Sequence, residues 1–219
     1  MTPENQAAEC LALMQTLIEY RHAKALHKQL RKAAAVSMLD IDVLIMIHHF
    51  AKRCEGDILE IGSFVGGSTI AAGLGVRDSG QKKKIISIEP GGRLKHHHLA
   101  RRDIFRDLKK NLAHANLLDS VTLINGYSYE LATIEAVRQA TTSGGIGLFI
   151  FDADDKVRRD LDCYSDRLGN RSWIVIDDYF SESNKSGPTR AQVDGLVAAG
   201  KLVTLGFYGW GTWVGRWLA

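Results

Sequence analysis

Two short segments concentrate carboxylates directly behind runs of apolar residues: Phe149-Ile-Phe-Asp-Ala-Asp-Asp155 and Trp173-Ile-Val-Ile-Asp-Asp-Tyr179. An apolar run of this length reads as a buried strand, so each cluster stands where a strand leaves the core. Neighbouring strands lie about 5 Å apart, and adjacent strand ends bring such groups together. Three or more unpaired carboxylates in one cleft repel one another and raise their own pKa values. A divalent cation removes that repulsion, and an all-oxygen ligand set favours Mg²⁺, Mn²⁺ or Ca²⁺ over zinc. Asp155, the last acid of the first cluster, is expected to cap the helix that follows.

A second constellation lies earlier. Glu60-Ile-Gly-Ser-Phe-Val-Gly-Gly-Ser68 joins an apolar run to a helical pattern through glycines at 62 and 66. Such glycines permit a tight turn and close approach of a ligand to the backbone, while the following helix offers free N–H groups. Phe64 stands where a dinucleotide fingerprint needs its middle glycine, and no Gly-Lys-Ser/Thr ending marks a phosphate-binding loop. Glu89 ends the next apolar run, where a carboxylate can accept hydrogen bonds from both hydroxyls of a ribose. Together the turn and the acid point to a nucleoside ligand.

These residues need a scaffold that aligns strand ends. Residues 4–33 follow a helical period through Leu11, Met14, Leu17, Ile18, Ala25 and Leu26, and a second helix is expected from about Asp40 to Lys52, stopped by Gly56. Strands are then expected at Ile58–Ile61, Lys84–Ile88, Val121–Ile124, Gly147–Phe151 and Trp173–Ile176. Helices follow them, one beginning near Gly66–Ser68 and the others near His97–Ala115, Tyr129–Thr141, Val157–Arg167 and Thr189–Ala199. Leu202–Phe207 and Thr212–Trp217, joined by the turn Tyr208–Gly211, read as a hairpin. The expectation is an α/β fold: a doubly wound, mostly parallel seven-stranded sheet with a C-terminal antiparallel hairpin and N-terminal helices. Ligands in such sheets bind beyond the carboxyl ends of the strands, where both constellations fall.

Leu59-Glu-Ile-Gly-x-x-x-Gly-x-Ser68, Ser87-Ile-Glu-Pro90 and Val121-Thr-Leu-Ile-Asn-Gly126 resemble successive motifs of class I S-adenosylmethionine-dependent methyltransferases, whose Rossmann-like fold ends in an extra antiparallel strand. The resemblance covers roughly residues 38–217. It implies a methyltransferase domain over 38–219, behind an N-terminal helical extension at 1–37. It also implies S-adenosylmethionine as cofactor, held by Glu60, Gly62, Ser63, Gly66, Ser68, Glu89, Gly126, Tyr127, Ser128 and Asp152. In that assignment Gly62, Ser63 and Ser68 line the methionine moiety, Glu89 the ribose, and Tyr127 with Ser128 the adenine.

Asp152-Ala-Asp154 and Asp177-Asp-Tyr179 are similar to the metal-dependent macrocin and aminocoumarin-sugar O-methyltransferases, and less closely to the catechol O-methyltransferase group. Carried over, Asp152, Asp177 and Asp178 would ligate Mg²⁺ or another divalent cation, and Asp154 would be the general base. Lys156 is the rival for the catalytic role, because a lysine lies near this place in the catechol enzymes. Acids at these strand ends also occur in methyltransferases without metal, where one aspartate contacts the cofactor. The implied reaction is methyl transfer to a hydroxyl of a small natural product or sugar. The alternative is a metal-free enzyme of the same fold acting on nitrogen or carboxylate, with an RNA methyltransferase behind it.

The totals set bounds on these readings. With 219 residues, 45% apolar and 24% charged, the chain suits one soluble α/β domain. Three scattered cysteines, Cys10, Cys54 and Cys163, lack metal-ligand spacing and fit a reducing compartment, so a cytoplasmic location is expected. No apolar run is long enough for a bilayer span. Net charge is only +3, and clusters such as Arg21–Lys32 and Lys95–Lys110 read as solvated helix faces rather than a nucleic-acid footprint. A homodimer is expected, without a residue to anchor it. His96-His-His98 reads as a solvated helix start or a lid facing substrate. His48 and His49 read as packed or interfacial residues, and Trp210, Trp213 and Trp217 as core or dimer packing rather than the lining of an aromatic pocket.

Overall fold

The structure, a computed structural model, describes residues 2–95 and 99–219. Three helices lead the chain: α1 (Pro3–His22), α2 (Lys24–Ala34) and α3 (Ile41–Arg53). Strands and helices then alternate as β1 (Asp57–Ile61), α4 (Gly67–Ser79), β2 (Ile85–Ile88), α5 (Ile104–His114), β3 (Val121–Ile124), α6 (Leu131–Ala140), β4 (Ile146–Phe151), α7 (Val157–Tyr164), β5 (Leu168–Ile176) and α8 (Ser186–Ala198). A hairpin of β6 (Leu202–Tyr208) and β7 (Thr212–Trp217) closes the chain. The seven strands form one sheet in the order β3-β2-β1-β4-β5-β7-β6, parallel from β3 to β5, with β7 antiparallel to both β5 and β6. This is the doubly wound sheet with a terminal hairpin that the strand pattern predicts.

Every residue of β1, β2 and β4 is buried. Alternate side chains along those strands serve opposite faces. Ile58, Leu148, Ile150, Trp173 and Val175 pack against the face carrying α3, α4 and α5. Leu59, Ile61, Phe149, Phe151, Ile174 and Ile176 pack against the face carrying α6, α7 and α8. The continuous apolar runs therefore follow from burial on both sides, not from a helical stripe. On the first face Phe50 stacks on Trp173 at 4.1 Å between ring centroids, and Arg216 lies across the same indole at 3.0 Å. Arg216 also pairs with Glu9 of α1, which ties the N-terminal helices to the sheet edge.

Three expectations are corrected. The single helix expected over 4–33 is two, broken at Ala23, where ψ is 77°. Neither proline nor glycine marks that break; α1 docks on β6 through Gln6 and the carbonyl of Thr204 while α2 packs on α4. The helix expected from His97 begins instead at Ile104, because the Asp103 side chain accepts the Arg106 amide at 2.9 Å and caps it. His96, His97 and His98 lie outside the described residues. Finally, β5 starts five residues earlier than expected, across a register shift that contains Arg171 at φ +65°. Among the described residues no helix is long and apolar enough to cross a membrane.

Candidate active site

Register decides where the functional side chains meet. Ile61 pairs with both Ile88 and Phe151, and Phe151 with Ile176, so these strands end level with one another. The ladder runs one residue further: amides of Glu89, Gly62, Asp152 and Asp177 donate to Ile124, Ile88, Ile61 and Phe151 at 2.9–3.0 Å. Four residues singled out from sequence thus stand in one row across the carboxyl edge of the sheet. Gly62 is at φ +85°, and a Cβ there would lie 1.9 Å from the Asp152 carbonyl oxygen. It must be glycine because two strand ends touch at that point.

The loop after β1 is locked to the acid after β2. Phe64 adopts φ +49°, and its amide donates to Glu89 Oε2 at 2.8 Å; the Gly91 amide donates to Oε1 at 2.8 Å. Each oxygen keeps a lone pair for another donor. Burial pushes the Glu89 pKa up while these two backbone bonds oppose the rise. Glu60 lies deeper. Its Oε2 accepts from Thr69 and Ser87, and burial raises its pKa while the neighbouring Ser68, Thr69 and Ser87 hydroxyls oppose the rise. Ser68 lies beside Glu60, and Gly66 caps α4 and packs on Leu108; of the residues expected around the cofactor, Glu60, Ser63, Gly66 and Ser68 do not line the cavity described next. Glu60 Oε1 and the Ser63 hydroxyl are buried without a protein partner. Buried polar atoms seldom stay unpaired, and these two lie beneath the turn that carries Gly62.

Beside this row opens a cavity of about 400 Å³. Gly62, Glu89, Gly126, Tyr127, Ser128, Asp152 and Asp154 all line it, which brings together seven of the residues expected from sequence. Tyr127 stacks on Tyr129 at 5.6 Å, and Arg159 lies 4.1 Å above the Tyr129 ring. The Ser128 carbonyl accepts the Tyr164 hydroxyl, which fixes this wall to α7. Phe64 of the Gly-rich turn lines it too, as do Met38, Arg159 and Lys185, which were not singled out from sequence. These last three come from three separate segments, and no local spacing signals their convergence.

Carboxylate oxygens of Asp152, Asp177 and Asp178 come within 4.8 Å of one another. Asp177 is steadied by the Thr212 hydroxyl of β7, so the hairpin braces the site. Asp178 sits at φ +58°, a left-handed turn that swings its carboxylate back toward the cluster. Burial, then the neighbouring Asp177, raises the Asp152 pKa; burial likewise raises that of Asp177. Three hard oxygen donors that repel one another form a set suited to Mg²⁺, Mn²⁺ or Ca²⁺, so the residues fit the expected ion.

The two catalytic candidates separate. Asp154 lines the cavity, where Arg159 holds both its oxygens at 3.0 and 3.3 Å and the Lys156 amide reaches Oδ1 at 2.9 Å. Lys156 points away, its exposed ammonium 3.3 Å from Asp155. Asp155 does not cap α7 as expected: Lys156 holds the cap position, and the Asp154 carboxylate accepts its amide. His48 is buried against Asp78 at 3.0 Å, and the edge of Tyr20 meets both His48 and His49, so both histidines are packing groups. Trp213 and Trp217 are buried in the core as expected, but Trp210 is not part of it: the turn between β6 and β7 leaves it exposed at the hairpin tip.

Residues 59–179 match a family model described as a methyltransferase domain. A comparison with curated proteins finds no match. Among solved structures, the SAH-bound methyltransferase PaMTH1 of Podospora anserina is 18% identical, with a TM-score of 0.61 over 100% of this chain and 97% of that one. The O-methyltransferase TomG of Streptomyces achromogenes, involved in tomaymycin synthesis and solved with S-adenosylmethionine, is 15% identical, with a TM-score of 0.64 over 87% and 89%. An O-methyltransferase of Bacillus cereus in complex with SAH is 16% identical, with a TM-score of 0.56 over 94% and 91%. At these identities the likeness establishes the fold. The match over more than half of the chain establishes the family: this protein belongs to the methyltransferase-domain family and is an S-adenosylmethionine-dependent methyltransferase.

Proposed function

We propose that this enzyme methylates a hydroxyl of a small molecule, assisted by a divalent cation at Asp152, Asp177 and Asp178. The observation that carries the reading is the meeting of these carboxylates, within 4.8 Å, on the same row of strand ends as Glu89. TomG and the Bacillus cereus structure, both O-methyltransferases, support an oxygen acceptor.

S-adenosylmethionine supplies an activated methyl group, and a divalent cation supplies positive charge that favours the ionised acceptor hydroxyl. The chain's own residues do the rest. Glu89, braced by Phe64 and Gly91, accepts from the ribose hydroxyls. Glu60 Oε1 and the Ser63 hydroxyl satisfy the polar methionine end. The wall of Tyr127, Tyr129 and Arg159, with the buried Ser128, receives the adenine. Asp154, oriented by Arg159, takes the acceptor's proton. Much of the rate would come from alignment, since well-oriented reactions gain effective molarities worth about 7–11 kcal/mol.

A metal-free enzyme of the same fold is the second reading. It is favoured by Lys185, whose ammonium stands 3.5 Å from Asp178 and supplies some positive charge by itself. Calorimetric titration of S-adenosylmethionine and Mg²⁺ into EDTA-treated protein separates the two. Binding of both, with the Mg²⁺ signal lost in Asp177→Asn, supports the metal reading. Cofactor binding without any Mg²⁺ signal leaves the second, and no cofactor binding would sink both.

A further inference from the structure

Lys185 belongs to neither acidic motif, yet its ammonium stands beside Asp178, and its charge acts on Asp152 and Asp177 as well. Its ammonium donates to the Ala153 carbonyl and lies 3.5 Å from Asp178 Oδ2. It lines the cavity beside Asp152 and Asp154. The connection from β5 to α8 is folded to hold it there. The Ser183 hydroxyl donates to Asp178 at 3.2 Å and accepts the Lys185 amide at 3.3 Å; the Ser186 hydroxyl donates to the Tyr179 carbonyl at 2.9 Å. Two other cations near Asp154 are engaged elsewhere: Arg159 with Asp154 and Asp160, and Lys156 with Asp155. At the far end of the side chain there is room to move, since Lys185 is 44% exposed and its flexible stem can carry the ammonium into water.

We propose that Lys185 is the internal counter-cation of the Asp152–Asp177–Asp178 cluster and that a divalent ion competes with its ammonium for these carboxylates. The inference rests on the metal reading above. Like charges a few ångströms apart repel strongly in a half-buried site, so an incoming ion meets the lysine's field as well as the acids' attraction. The lysine thus holds the cluster together in the metal-free protein and weakens its hold on the ion. Entry of the ion drives the ammonium outward toward solvent.

The test titrates Mg²⁺ calorimetrically into EDTA-stripped wild type, Lys185→Met, Lys185→Arg and Asp177→Asn, and melts each protein in EDTA. Lys185→Met keeps the stem and removes the charge; it should bind Mg²⁺ about tenfold more tightly or better. It should also melt below wild type in EDTA and show a larger rise on adding Mg²⁺, whereas Lys185→Arg should stay near wild type. Wild-type binding that is lost in Asp177→Asn but unchanged or weakened in Lys185→Met overturns the competition and leaves the metal site standing. No binding to either wild type or Lys185→Met overturns the metal reading and this inference together.

Discussion

Asp177→Asn offers a direct measure of the strain that the carboxylate cluster stores. The substitution keeps the shape and retains an oxygen to accept the Thr212 hydroxyl, so its main effect is to remove one negative charge. At 4.8 Å, each repulsion with Asp152 or Asp178 is worth about 3 kcal/mol at an effective dielectric of about 20. One comparable attraction to Lys185 is lost at the same time, and the half-buried setting screens every term. A net gain of about 1–2 kcal/mol in metal-free stability remains, which for a domain of this size raises Tm by about 2–8 °C. Thermal denaturation followed by circular dichroism, in EDTA and again with excess Mg²⁺, reads this out. The variant should melt above wild type in EDTA. The order should reverse with Mg²⁺, since an ion at about 100 times its Kd stabilises by about 2.7 kcal/mol only the protein that binds it. A variant melting at or below wild type in EDTA would refute the claim that these carboxylates repel one another.

Other outcomes follow from single positions. Glu89→Gln should weaken S-adenosylmethionine binding by roughly tenfold to a hundredfold, the loss of one charge-assisted hydrogen bond of about 1.5–3 kcal/mol, measurable by calorimetry. Gly62→Ala, with its Cβ 1.9 Å from the Asp152 carbonyl at φ +85°, should cost about 3 kcal/mol or more in chemical denaturation and lower cofactor binding with it. His49 is held neutral: burial first, then Arg53, lowers its pKa from 6.5 to about 4. The folded state then binds fewer protons than the unfolded one between those values, so stability falls as pH drops from about 6.5 to about 4 and levels off below. After discounting for partial exposure, the stability of wild type relative to His49→Gln should decline by about 2 kcal/mol between pH 7 and pH 4.5, and parallel denaturation curves would contradict this.

Much of the molecule is legible in one dimension because its determinants are local. Runs such as Phe149–Phe151 and Trp173–Ile176 are apolar throughout since both faces of the sheet are covered, and burial of that kind leaves an unmistakable composition. Polar residues placed directly behind those runs stand at strand ends, so Glu89, Asp152–Asp155 and Asp177–Asp178 were legible as edge residues from the pattern, while the choice of Asp152, Asp177 and Asp178 as ligands came from the family resemblance. The terminal hairpin was legible too, from two apolar segments joined by a short Gly-rich turn with no helix between them.

Contacts across the fold settled the rest. The break at Ala23 has no local signal and reflects docking of α1 and α2 on different partners. Asp154, the expected base, and Lys156, its rival, are two residues apart; the first turn of α7 aims Arg159 at the first and leaves the second in solvent. Ser68 and Glu60 sit inside the cofactor motif, yet the turn into α4 points the serine at the glutamate instead of at the cavity. Arg159, Met38 and Lys185 reach the cleft from three separate segments, and Thr212 reaches Asp177 only because β7 inserts between β5 and β6. The sequence by itself determined which residues stand at the edge of the sheet, because burial is written into local composition. Only the tertiary structure decided which of them face one another, because that depends on register, on backbone angles such as the +58° of Asp178, and on side chains brought in from distant segments.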